Sequence, residues 1–486
     1  MRPSVRFVSD KLIEDIVSEA SNILCTLGVE IHNKNVLDML SSHGCKVRMD
    51  NSHAVFTHQV IQKSLQTVPH SFKMFDSLGN QTHDFSGFNV YFTPGSTALN
   101  ILDSKSRKMR NANTGDYIHF VKVTDQLEHI AALSTAIISA DVPQQISDSY
   151  RLFLSLLYSK KPVVTGAFTI ESFEAMKDFQ VAIRKSEKAL REKPLTIFSI
   201  CPTSPLKWSE VTSQNLLDCA RYFIPVEFIA MPLSGFIAPV TLVGTLIQHT
   251  AETLSGVVIS QLASPGCPVL YGGSPAIFDI RCETTPMGAI ETMMIDCAYN
   301  EIGKFLKIPT QAYISLSDAK QLDAQAGLES GLGAALAALS GINSVSGPGM
   351  LDFESCLSLE KLVLDNEICG MSYRMIAGIE PKEDFPALPI FQELLTERNL
   401  IISDHTRKYI KSEIYTTGPV IDRKNRSRWE RDGSLTLFER ANAEVNKLLK
   451  SYEPYGLPED TRRQLIKLME AEARRYKLGA LPVRPQ

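Results

Sequence analysis

The sequence predicts an α/β protein, a (β/α)8 TIM barrel with an N-terminal helical cap and a C-terminal helical extension. Three observations carry the expectation. Eight short apolar runs recur through the middle of the chain, starting at Asn89. A stretch of helical length follows each run, and strands alternating with helices imply parallel βαβ units. Eight such units in roughly 290 residues suit a closed barrel. An open doubly wound sheet usually has fewer strands and often a glycine-rich phosphate turn after the first. Here Thr93-Pro94-Gly95-Ser96 stands at that point instead.

Residues 1–88 are expected to form the cap. Leu12, Ile13, Ile16, Val17, Ala20, Ile23, Leu24 and Leu27 repeat at helical spacing over Asp10–Leu27, and Gly28 stops the helix. A second helix covers Lys34–Ser42. A short strand follows near Val47–Phe56, and Thr57 can cap a third helix. The barrel is assigned to residues 89–380. Its strands are expected at Val90–Phe92, Ala136–Ser139, Val163–Ala167, Thr196–Ile200, Val226–Ala230, Val269–Tyr271, Gln311–Ser315 and Asn343–Ser346. The helices between and after them are expected at Asp116–Ser134, Tyr150–Ser159, Glu171–Arg191, Ser209–Tyr222, Thr241–Ser264, Ala289–Leu306, Ala326–Leu339 and Leu357–Ala377. Residues 381–486 form the extension. It has a helix over Asp384–Arg398, a polar, loop-rich stretch over Arg407–Asp432, and helices over Leu435–Leu449 and Pro458–Tyr476.

Composition narrows the function classes. The chain has 486 residues, 44% hydrophobic and 21% charged, as in an ordinary globular protein. A net charge of -4 provides no footprint for nucleic acid. The basic run Arg423–Arg431 reads as solvated surface or a partner contact. Nine scattered cysteines without a CxxC pair fit reduced thiols. No apolar run reaches membrane-spanning length, and the N-terminus does not read as a signal peptide, so a cytoplasmic location is expected.

In a parallel barrel, functional groups sit beyond the C-terminal strand ends. Those ends are rich in Pro, Gly, Ser and aromatic residues and poor in His. The ten histidines show no zinc-ligand spacing, so no metal site is expected. Ser317-x-x-Lys320 matches an acyl-transfer pattern that arises readily by chance. Gly331-Leu332-Gly333 fails as a dinucleotide motif at its third glycine. A mouth lined with rings suits a quaternary ammonium, which donates no hydrogen bond and is held by cation–π attraction of about 0.5–2 kcal/mol per ring. The cage candidates are Tyr91, Phe92, Trp208, Phe236, Tyr271 and Phe353. Plain packing is the competing reading for each.

Several stretches together resemble the trimethylamine methyltransferase (MttB) family over nearly the whole chain. They include Gly28-Val29-Glu30-Ile31-His32, Phe92-Thr93-Pro94-Gly95, Ser139-Ala140-Asp141-Val142-Pro143, Ala238-Pro239-Val240-Thr241-Leu242, Asp323-Ala324-Gln325-Ala326-Gly327 and Gly347-Pro348-Gly349-Met350-Leu351. The resemblance implies a barrel that passes a methyl group from a methylamine to the Co(I) corrinoid (cobalamin) of a separate partner protein. It implies no cofactor bound tightly by this chain. Founding members carry pyrrolysine, and this sequence has none. Members without it are associated with quaternary amines, so the resemblance implies glycine betaine, giving dimethylglycine. Proline betaine, carnitine, choline and trimethylamine are the alternatives.

On that reading Asp318, Gln325 and Glu329 are polar organisers of catalysis, with a structural network as the competing role. Lys320, Thr97, Trp208 or backbone amides near Gly272 and Gly347 are donors for a substrate carboxylate. Two other classes stand beside it: a lyase or hydrolase using Lys320 and Asp318, and a non-catalytic betaine-binding barrel. A homo-oligomer is also expected.

Overall fold

A computed structural model describes residues 2–481, so the last five residues of the expected extension lie outside it. Eight parallel strands form the centre: β1 (Tyr91–Thr93), β2 (Leu133–Ser134), β3 (Val163–Thr165), β4 (Thr196–Ile200), β5 (Val226–Phe228), β6 (Val269–Leu270), β7 (Gln311–Tyr313) and β8 (Ser344–Ser346). A principal helix follows each in turn: α1 (Thr114–Asp125), α2 (Ser147–Tyr158), α3 (Ser172–Arg184), α4 (Glu210–Tyr222), α5 (Leu242–Ala263), α6 (Ile290–Phe305), α7 (Ala324–Ser340) and α8 (Leu359–Ile376).

β2 to β6 form one continuous sheet, and β7, β8 and β1 form another. Single parallel bridges, Phe92 with Ile130 and Tyr271 with Thr310, join the two. The strand order therefore runs round a ring, but no continuous ladder closes it. At these junctions Ala131 N donates to Phe92 O at 2.8 Å and Gln311 N to Tyr271 O at 3.0 Å.

The alternation of side chains along a strand sorts the interior into layers. In β4, Phe198 faces outward against Phe173 of α3. Ile197 faces inward and packs with Val164 and Leu270. Ser199, two residues on, belongs to a higher layer that lines a cavity. The low layer is sealed from outside by a hairpin, Lys73–Phe75 with Gln81–Asp84. Its Met74, with flanking Phe72 and Phe85, joins the Val164–Ile197–Leu270 cluster. This hairpin stoppers the N-terminal end of the barrel.

The N-terminal helices lie along the barrel's flank. The first, Asp10–Thr26, is capped by Ser9, which accepts from Leu12 N, and it packs on α5. Sandwiched between that helix and the barrel, α5 is buried at almost every position from Leu254 to Gln261, which explains its apolar character on all faces. At the other end of the chain, Leu437–Ser451 packs on α8, and Glu459–Arg475 on α3. No helix among the described residues is long and apolar enough to cross a membrane.

Four expectations need correction. The second strand is Leu133–Ser134, not Ala136–Ser139, and α1 ends at Asp125, not Ser134. Leu127, Ile130 and Leu133 mimic helical spacing, but the Lys161 ammonium takes the Thr124, Leu127 and Ile130 carbonyls at 2.6–2.7 Å and lets the chain leave the helix. Glu171–Arg191 is two helices, broken where Lys185 adopts φ 71° and Ser186 caps the next one. The stretch Arg407–Asp432 contains helical turns: Asp404–Glu413 runs into it and Arg426–Arg431 lies within it, capped by Ser403 and Asn425. They escape notice because neither has an apolar stripe.

Candidate active site

A cavity of about 480 Å³ opens inside the C-terminal mouth, a size typical of small-molecule sites. Its wall mixes apolar side chains with hydroxyls, with Arg151 and Glu354 as its charged members and Phe168 and Tyr313 as its aromatic ones. β5 reads Val-Glu-Phe, so Glu227 faces inward while its apolar neighbours face out. It is fully buried. Ser199 Oγ, across the β4–β5 register, donates to Glu227 Oε1 at 2.7 Å, and Oε2 has no partner among the described residues. Burial pushes the Glu227 carboxyl up to about 7.

Glu354 lies on the turn after β8, where Asp352, Phe353 and Glu354 all hold positive φ (50°, 55°, 67°). Such a run is unfavourable for residues with side chains and is kept where the surroundings impose it. It brings Glu354 Oε1 to the Ser96 amide at 3.1 Å. A Cβ on Gly95 would come within 2.6 Å of that oxygen, so glycine is required there. Withdrawal from water pushes Glu354 up to about 8, against the Ser96 amide and with help from the Glu227 charge. The Tyr313 hydroxyl, 2.6 Å from Ser96 Oγ, is raised for the same first reason, burial, and then by Glu354 and Glu227. The Glu354 carboxyl, a phenol and hydroxyls thus converge at one side of the cavity, with the Glu227 carboxyl just behind Ser199. A cation entering there would favour the ionised carboxylates. Burial pushes the wall thiol of Cys201 up to about 12, so it is no thiolate nucleophile near neutrality.

The opposite wall belongs to β2 and β3. Arg151, on α2, is 2% exposed. Its Nη1 donates to Thr135 O at 2.7 Å and its Nε to Ser147 O at 3.3 Å. The Phe168 ring lies over the guanidinium, 5.0 Å from its centre, and is itself partly open to the mouth.

Apart from Thr97, none of the residues expected at the site lines this cavity. Tyr91 reaches down to Asp84 of the hairpin, its hydroxyl accepting from Asp84 N at 3.0 Å. Phe92 packs edge-on against Tyr373. Trp208 points into α5, donating to Ser255 Oγ at 2.9 Å. Tyr271 donates to Thr250 Oγ1 at 2.9 Å, again in α5. Phe236 is exposed and stacks on Phe278. Phe353 lies under the Lys320 ammonium at 3.9 Å. No cage of six rings forms; strand-end aromatics that face outward are packing groups.

The expected polar organisers do meet, but with one another. Gln325 donates to Glu329 Oε1 at 2.9 Å, while Glu329 Oε2 accepts from Ser317 Oγ at 2.6 Å and Asp318 N at 2.8 Å. Asp318 accepts from the Met287 and Gly288 amides at 3.0 and 2.8 Å, and burial pushes it up to about 6. Lys320, largely exposed, donates to Asp318 O and pairs with Asp352. This is a brace of the rim. Gly347 N donates to Thr93 O at 3.2 Å and is not free for a ligand, and a Cβ there would strike Ile314 O at 2.2 Å.

Glu227, Glu354, Arg151 and Tyr313 escaped the sequence reading. Glu227 had a signal, the single charge inside Val226–Ala230; the others had none. Among the described residues no group of His, Cys, Asp and Glu could hold a metal ion.

The family described as "Trimethylamine methyltransferase (MTTB)" matches residues 1–477. Trimethylamine methyltransferase MttB of Methanosarcina thermophila is 30% identical over 456 residues, covering 92% of this chain and 93% of that one. MttB of Desulfitobacterium hafniense (strain DSM 10664 / DCB-2) is 27% identical over 468 residues, 96% and 94% of the two chains. A glycine betaine methyltransferase of D. hafniense (strain Y51) is likewise 27% identical, over 460 residues and 94% of each chain. The monomethylamine methyltransferase MtmB of Methanosarcina barkeri shares the fold, at a TM-score of 0.54 and 11% identity over 98% of this chain and 90% of its own.

Proposed function

The chain belongs to the trimethylamine methyltransferase family, and from that premise we propose that it moves a methyl group from a quaternary amine, glycine betaine first, to the Co(I) corrinoid of a partner protein. The corrinoid is the second substrate. Its cobalt supplies the electron pair that takes the methyl group, and the carbon–nitrogen pair leaves with the amine. Because a quaternary nitrogen departs as a neutral amine, the reaction needs no general acid. The chain's own work is to hold the ammonium, exclude water and aim one methyl at the mouth.

The single observation that carries this reading is the cavity open at the C-terminal end, with Glu354 on its wall and the buried Glu227 directly behind Ser199 of that wall. Ionised carboxylates there match the positive charge of the amine without offering it a nucleophilic sulfur or imidazole. The test mixes purified protein, cob(I)alamin and each methylated amine. Glycine betaine should convert the cob(I)alamin spectrum to that of methylcob(III)alamin with formation of dimethylglycine. A spectrum unchanged by every methylated amine would sink the reading.

The same reading includes a cytoplasmic location and a homo-oligomer. Ile379, Phe385, Leu388, Phe391 and Leu395 are all more than half exposed, and helix Leu388–Glu397 buries none of its residues. An apolar surface of that extent is a contact face, here for a second copy of the chain. Replacing Phe391 and Leu395 by Ser should lower the mass seen by light scattering and leave methyl transfer intact.

A further inference from the structure

The buried cation of this cavity, Arg151, feels the nearby charge of Asp148 but makes no hydrogen bond with it. Arg151 forms no ion pair among the described residues, although it is 2% exposed. The neighbouring carboxylate turns away: Asp148 Oδ2 accepts from Phe168 N at 2.6 Å and Oδ1 from Ser172 Oγ at 3.1 Å. Nε and Nη1 are spent on backbone carbonyls, which fixes the plane of the guanidinium. Nη2 makes no hydrogen bond to protein among the described residues, and Arg151 lines the cavity. A buried charge left so is costly unless something else completes it.

The acid on the cavity wall, Glu354, comes from the turn after β8, with Glu227 of β5 buried behind Ser199, while Arg151 stands by β2 and β3. Acid and base thus stand on different walls. A guanidinium fork matches a carboxylate. We propose that Arg151 is the residue that selects the substrate: it receives a carboxylate on a zwitterion whose methylated ammonium faces Glu227, Glu354 and Tyr313. The proposal rests on the reading of this cavity as the amine site and narrows it to amino-acid betaines. Choline and simple methylamines would lack the second contact.

Isothermal titration with three ligands tests it: glycine betaine, its methyl ester and tetramethylammonium. Wild-type protein should bind the free acid roughly 10- to 100-fold more tightly than either of the others, the range that hydrogen bonds to charged groups supply. In Arg151→Met that margin should fall to within about threefold, with tetramethylammonium affinity held, and Arg151→Lys should fall between. The ester comparison uses wild-type protein, so it stands even where a variant does not fold. Equal affinity for acid and ester, equal loss of both ligands in Arg151→Met, or no binding by wild type would overturn the proposal. The cob(I)alamin assay separates it from the wider reading. Turnover of betaine and tetramethylammonium alike sinks Arg151 selection and leaves methyl transfer standing. A retained acid–ester margin without any turnover does the reverse.

Discussion

The rim of the barrel and the wall of its cavity carry similar residues in opposite circumstances. On the rim, Asp318, Gln325, Glu329 and Lys320 satisfy one another and the nearby amides. At the cavity, among the described residues, Glu227 behind the wall keeps an oxygen without a partner, and Arg151 Nη2 on the wall makes no hydrogen bond to protein. Polar groups that close on each other brace a structure; polar groups held apart by the fold wait for something else. Function is to be sought where hydrogen-bonding capacity is left open.

Removing both cavity acids is the strongest way to break that contrast. Glu227→Gln with Glu354→Gln should lower kcat/KM for glycine betaine by about 100-fold or more, on the scale of two lost interactions with a charged ligand. The matching rim change, Glu329→Gln, should alter kcat/KM less than about threefold. Steady-state rates of methylcobalamin formation for the two proteins decide the matter, and equal losses would erase the distinction.

The pH profile is the next test. Capture of a cation needs ionised acids, so kcat/KM should rise as pH passes about 7 and about 8, where burial places Glu227 and Glu354. The sign for stability is opposite. Both groups titrate above the ordinary glutamate value of about 4.3, so over that interval the folded state holds protons the unfolded chain has released, and stability falls as pH rises towards 8. Glu227→Gln should remove part of that fall, on the order of 1–3 kcal/mol at pH 8, in urea unfolding at several pH values. A flat profile would mean the acids are ionised throughout.

The smallest effect belongs to the rim. Glu329→Ala strands Ser317 Oγ and the Asp318 amide. It should cost about 1–3 kcal/mol of stability, seen as a lower midpoint, with turnover per folded molecule unchanged.

Much of this fold was legible because parallel strands buried on both faces read as apolar runs. Thr196–Ile200 was placed to the residue. β2 was not, since its Leu133 sits in helical register with Leu127 and Ile130, and only Lys161, far along the chain, ends the helix. The site was less legible for a related reason. Aromatic residues at strand ends look alike whether they face in or out, and a shift of one position reverses the answer, as Trp208 and Tyr271 show. Glu227 was open to detection as a charge inside a buried strand. Arg151 and Glu354 act through chain segments that meet only in three dimensions.

The hairpin beneath the barrel makes the cavity a blind alley. With Met74, Phe72 and Phe85 filling the lower layer, the route through the N-terminal end is closed and the upper opening serves traffic. An amine must then be seated before a bulky methyl acceptor covers that doorway, and the demethylated product stays trapped until the acceptor lifts away. Order of arrival is written into the architecture, and product inhibition patterns would carry its signature.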